Sequence, residues 1–167
     1  MSGSLGEWAT DGGLERVVRR AGRVFVVNAA CEILLFCGGD PASPHLGTWW
    51  FTPGGGLEGD EDEAAAARRE LWEETGLAVD VLGPVVHRQQ AVFDLLLQHY
   101  EQDDAFFVVH VDRFEVDESR HTELERQVVC GHRWWSEDDL ETTTEVVYPH
   151  GLLAVLRREG VFAGPKS

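Results

Sequence analysis

Apolar runs separated by glycine- and proline-rich breaks divide this chain into short elements, and their period changes from one to the next. Residues 24–28 and 33–37 are apolar and rich in β-branched side chains. A short Ala-Ala-Cys-Glu turn lies between them, so the two predict a hairpin. Residues 38–47 carry Asp, Pro, Ser and Gly and predict a loop. Residues 48–52, with Trp49, Trp50 and Phe51, predict a short strand, which Pro53-Gly54-Gly55-Gly56 then breaks. A helix follows over about 62–75. Asp60 reads as its N-cap with Glu63 as capping-box partner, and Gly76 as the glycine that ends it. Ala64, Ala67 and Leu71 recur at helical spacing, and the small alanines predict a close approach to a sheet. Residues 79–93, 105–115 and 127–135 read as further strands. Residues 136–140 read as a short helical turn. Residues 149–158 read as a closing helix with Leu152, Leu153 and Leu156 on its apolar face. The order β-β-β-α-β-β-β-α predicts a mixed sheet with helices on both faces.

Composition narrows this picture. At 167 residues the chain suits one domain, placed at 21–160, with a flexible lead-in over 1–20 and a tail over 161–167. No apolar run approaches the ~20 residues of a membrane helix. The first residues lack the basic start and apolar centre of a secretory signal, so a cytoplasmic location is expected. Cys31, Cys37 and Cys130 form no C-x-x-C pair and read as structural thiols; no zinc site is indicated. The net charge of −16, with Lys166 the only lysine, argues against long nucleic acid as a partner. An anionic substrate then needs local cations, and bound metal ions can supply them.

The densest chemistry lies between Gly55 and Leu77. Glu70, Glu73 and Glu74 fall within five residues of one helix, spread over an arc of about 100°. Like charges at that spacing repel, so the cluster is a poor solvated face and a good site for a hard divalent cation. Oxygen ligands suit Mg2+ or Mn2+.

Gly55, Glu61, Arg69-Glu70-Leu71, Glu73-Glu74 and Gly76-Leu77 fill every defining position of a Nudix box, and the chain resembles the Nudix hydrolase (MutT-like) family. The resemblance implies an α/β fold, an α/β/α sandwich with a mixed central sheet. It implies hydrolysis of the diphosphate linkage in a nucleoside diphosphate joined to another moiety, by water attack on phosphorus. It further implies that Glu73 and Glu74 bind the metal, that Glu70 serves as ligand or base, and that the Gly54 carbonyl is a further ligand. Arg69 and Glu61 match the ion pair that orients the catalytic helix in relatives. Relatives also use an acid beyond the box. Glu123 and Glu125 are the candidates, and either reads equally well as a solvated charge; Asp103 and Asp104 read as loop residues. Arg23, Arg88 and Arg133 are candidates for phosphate contacts. Trp50 and one of Trp134 and Trp135, with Trp135 preferred, are candidates for contact with a base. The partner implied is a small-molecule nucleotide, with a homodimer in keeping with relatives. The rival readings are a catalytically silent Nudix-fold nucleotide sensor, disfavoured by the intact box, an isopentenyl diphosphate isomerase, disfavoured by the lack of a cysteine motif, and an mRNA-decapping enzyme, disfavoured by the lack of a basic patch.

Overall fold

The computed structural model describes residues 13–112 and 114–163. Seven strands form one mixed sheet. They are β1 (Glu15–Val27), β2 (Ile33–Gly39), β3 (Thr48–Phe51), β4 (Gly54–Gly56), β5 (His87–Leu95), β6 (Gln98–His110) and β7 (Val129–Trp135). The helices are α1 (Glu63–Thr75), α2 (Glu123–Val128), α3 (Glu137–Thr142) and α4 (Leu152–Arg158). None is long and apolar enough to cross a membrane.

Alternation along β1 builds the layers. Val24 and Val26 face α1 and pack with Leu34, Phe36, Ala105 and Phe107 beneath Ala67 and Leu71. Phe25 and Val27 face the other way, onto Ile33, Leu35, Phe106 and Trp135 beneath Leu140 of α3 and Leu152 and Leu156 of α4. Strands apolar on both faces need cover on both, and the result is the three-layered α/β arrangement that the element order predicts.

The connectivity departs from the sequence expectation in several places. The 28–32 turn forms, held by Asn28 Oδ1 accepting from the Ala30 and Glu32 amides. Yet β1 meets β2 only at Val27 and Ile33. Its main partner is β6, parallel along the whole of 15–27. Residues 15–20, expected in the lead-in, are therefore strand, while residues 1–12 lie outside the described residues. Residues 79–86 form no strand. Instead β5 and β6 make a hairpin closed by Leu96 and Leu97, both at positive φ (49° and 64°). That turn normally draws Asn-Gly, so the apolar Leu-Leu pair hid it. Asp103 and Asp104 consequently lie in β6 rather than a loop. The glycine break at 54–56 is itself β4, paired antiparallel with β1. Residues 123–128 form α2, and the last strand starts at Val129 rather than 127. Val161, assigned to the tail, is buried in the core.

Candidate active site

Helix α1 carries the site, and its ends are well defined. The N-cap is Asp62, not Asp60: its side chain accepts from the Ala65 amide at 2.8 Å. Glu63 is the first helical residue and makes no cap; it pairs with Arg20 and Arg88. Gly76 takes φ 78° and returns its amide to Trp72 O, a conformation glycine adopts without steric cost. Ala67 and Leu71 bring the helix so near β1 that a Cβ on Gly22 would sit 2.0 Å from Glu63 O and 2.8 Å from Ala67 N. A Cβ on Gly55 would lie 2.5 Å from Glu70 Oε1. The glycine strand thus gives the carboxylates room against bare backbone.

Glu70 and Glu74 stand one turn apart on the helix, and Glu125 approaches from α2. One carboxylate oxygen of each lies within 4.8 Å of the others. Glu74 is 4% exposed and accepts from the Gly54 amide at 3.1 Å. Burial, then the charge of and hydrogen bond with Glu70, holds its carboxyl well above the usual range. Glu73 stands outside this trio, with Arg69 Nη1 at 3.3 Å. Burial and the nearby Glu70 charge raise its carboxyl as well.

Arg69 spans the arrangement. It donates to both oxygens of Glu61, from Nε at 2.9 Å and Nη2 at 3.0 Å, and also to Glu70 and Gly56 O. The hydrogen bond with Glu61 is the largest cause raising its guanidinium. The same bond lowers the Glu61 carboxyl. Such a bidentate pair is geometrically specific as well as favourable.

Glu125 reaches the trio because the chain after β6 is tied to the end of α1. The Asp117 amide donates to Thr75 O at 2.9 Å, and the buried His121 donates from Nε2 to Glu74 O at 2.8 Å. The last carbonyls of a helix need such partners. Thr122 then caps α2 in a capping box whose other half is Glu125, its Oε1 accepting from the Thr122 amide. The sequence left Glu123 and Glu125 open; Glu123 is exposed and away from the trio. His121 is a residue the sequence reading missed, since a lone histidine carries no spacing signal.

The donor set can be tested against a divalent cation on its own terms. Glu125 Oε2 is buried without a hydrogen-bond partner. The Glu125 carboxylate converges with two further carboxylates at the negative end of a helix dipole. Three converging carboxylates, one of which carries an orphaned buried oxygen, fit a hard divalent ion such as Mg2+ or Mn2+.

The remaining candidates disperse. Arg23 is held by Asp104 at 3.2 Å and by Thr52 O at 2.7 Å, close enough for its charge to act on Glu74. Arg88 pairs with Glu63 at the opposite end of α1, roughly 16 Å along the axis from Glu74. Arg133 pairs with Asp139 and lies over the Trp135 ring. Trp135 is fully buried, so it is core and cannot stack on a base, contrary to the expectation. Adjacent strand residues face opposite sides, and the buried side fell to Trp135. Trp50 packs edge-on against it, half-buried, with its Nε1 unpartnered.

A family model described as the NUDIX domain matches residues 17–154. A curated relative, RNA pyrophosphohydrolase of Acidiphilium cryptum (strain JF-5), is 40% identical over 67 residues, covering 40% of this chain and 35% of that protein. The match thus spans about a third of the relative's length. Among solved structures, the MutT protein of Methanosarcina mazei Go1 superimposes with a TM-score of 0.61 at 22% identity, over 87% of this chain and 95% of the other. The NUDIX domain of Shewanella oneidensis NrtR, solved with ADP ribose, gives a TM-score of 0.61 at 14% identity, over 86% and 88%. At these identities the structural likenesses speak for the fold.

Proposed function

The chain belongs to the Nudix family, and from that premise we propose that it is a metal-dependent hydrolase of the diphosphate linkage in a nucleoside diphosphate joined to another moiety. The observation that carries the reading is the Glu70–Glu74–Glu125 convergence on an intact, Arg69-braced helix. In this reading Glu70, Glu74 and Glu125 hold Mg2+ or Mn2+, with Glu73 and the Gly54 backbone oxygen as further ligands. Held there, a divalent ion would supply charge neutralisation for the diphosphate and a more acidic water. Glu70, besides serving as a ligand, accepts the proton of the attacking water. Arg69, fixed by Glu61, holds Glu70 and Glu73 in register through its Nη1. Arg23 sets a positive charge at the edge of the site. In the same reading the protein acts in the cytoplasm, on a small nucleotide rather than on long nucleic acid. A homodimer is the assembly proposed.

The test is a screen of nucleoside diphosphate derivatives with Mg2+ and with Mn2+, read as phosphate released after phosphatase treatment. Turnover by the wild-type chain that is lost in folded Glu74→Gln and restored by neither metal supports the reading. Tight nucleotide binding without turnover would support the silent sensor instead.

A further inference from the structure

Away from the carboxylates, β2 and β7 bring two thiols together. The sulfurs of Cys37 and Cys130 lie 2.7 Å apart. The strands are antiparallel, with Cys37 opposite Gly131 and Gly38 opposite Val129, so Cys130 is an extra residue on β7. A bulge sets two residues of one strand against one of its neighbour. In regular pairing Cys130 would point to the face opposite Cys37; the bulge turns it toward Cys37. Gly131, at φ 154°, provides the backbone latitude for that turn. Cys130 is exposed and Cys37 partly buried, so an accessible sulfur sits beside a sheltered one. Cys31 lies in the β1–β2 turn, at the far end of β2.

We propose that Cys37 and Cys130 are an oxidation site, a thiol pair that a peroxide converts to an intramolecular disulfide between β2 and β7. The Cys130 thiolate attacks a peroxide oxygen. The S–O bond forms, the O–O bond breaks, and one water leaves after protonation, giving a sulfenic acid. Cys37 then attacks the Cys130 sulfur as it gives up its proton. The S–S bond forms, the S–O bond breaks, and a second water leaves. Two electrons pass from the thiols to one hydrogen peroxide. The order follows from the surroundings: burial, and then contact with Cys130, pushes the Cys37 thiol up to about 11, so it resolves rather than attacks. The bond closes a loop of roughly 90 residues. It pins β7 one residue past Val129, the C-cap of the α2 helix that bears Glu125.

The full chain is treated with hydrogen peroxide, alkylated with N-ethylmaleimide and weighed intact without reductant. The expected result is one alkylated thiol instead of three, a protein mass beneath that single label lower by about 2 Da, and a peptide linking 37 to 130 within one chain. The melting temperature rises by about 10 °C and falls back with dithiothreitol. Cys37→Ser and Cys130→Ser melt like the reduced wild type and show no rise. Three alkylated thiols after oxidation, a linkage between two chains, or an equal rise in Cys130→Ser overturns the proposal. If a serine variant does not fold, the linked-peptide map of the wild-type chain decides alone.

Discussion

Glu74 is almost fully buried between Glu70 and the Gly54 amide, and its carboxyl is held well above the usual range. A raised acid favours its protonated form in the folded state. The associated stability is present below the ordinary Glu value of about 4.3 and is lost as pH rises through the folded value. The metal-free protein therefore weakens toward alkaline pH. Glu74→Gln keeps an oxygen for Gly54 and removes the charge. In EDTA at pH 8 it should be more stable than wild type by about 1–2 kcal/mol, with the gain absent at pH 4. Its Mn2+-induced rise in melting temperature should vanish. Thermal melts at both pH values, with and without Mn2+, check both halves. His121 gives a second residue-level expectation. His121→Ala leaves Glu74 O without its donor and opens space beside Phe36, costing about 1–3 kcal/mol in denaturant titration. Mn2+ affinity should fall with it, because the same hydrogen bond tethers the segment leading to Glu125. Unchanged Mn2+ binding in a destabilised variant would limit His121 to stability. The box acids were legible in sequence because 3.6-residue spacing alone sets their common face. His121 was not, and the choice between the candidates Glu123 and Glu125 stayed open, since both depend on a loop folding back over the end of α1.

At the scale of the element, two glycines separate fold from site. Gly22→Ala drives a methyl group into the backbone of α1, which cannot yield locally, so a loss of about 3 kcal/mol or more is expected. Gly55→Ala meets the end of the Glu70 side chain instead of backbone. It should cost little stability and at least about tenfold in kcat, because it displaces Glu70, the proposed base or ligand. Equal effects of the two substitutions on stability would remove the distinction. The start of α1 carries its own pH signature. Burial pushes the Glu63 carboxyl up, but hydrogen bonds from Arg20 and Arg88 outweigh it, and the net shift is downward. That contribution is present above the ordinary Glu value and is lost as pH falls through the lowered one. Both arginines are more than half exposed, so water screens the pairs and Glu63→Gln should cost no more than about 1 kcal/mol at pH 7. The helix itself was legible from its alanine face and terminal glycine. Its N-cap was misplaced by two residues because Asp60 and Asp62 offer the same chemistry. The Leu96-Leu97 hairpin was hidden because its residues contradict the usual turn composition.

The whole molecule has a net charge of −16 around a site for an anionic substrate. Long-range repulsion should slow encounter and ease as salt screens it. At fixed saturating Mg2+, kcat/KM should rise about two- to fivefold between 20 and 150 mM NaCl. A fall over that range would mean that the cations near the site dominate the approach of substrate. The family, the carboxylate-bearing helix and the class of chemistry were determined by the sequence, because they depend on local spacing: which side chains share a helix face, where glycine permits close approach, and which charges lie within one turn. The tertiary structure decided what depends on distant segments meeting. It chose Glu125 over Glu123, sent Arg88 to the far end of α1, buried Trp135, joined β1 to β6 in parallel and set Cys130 against Cys37. Each is a matter of strand register, bulge position or loop closure, and a one-residue change in register moves a side chain to the other face of the sheet.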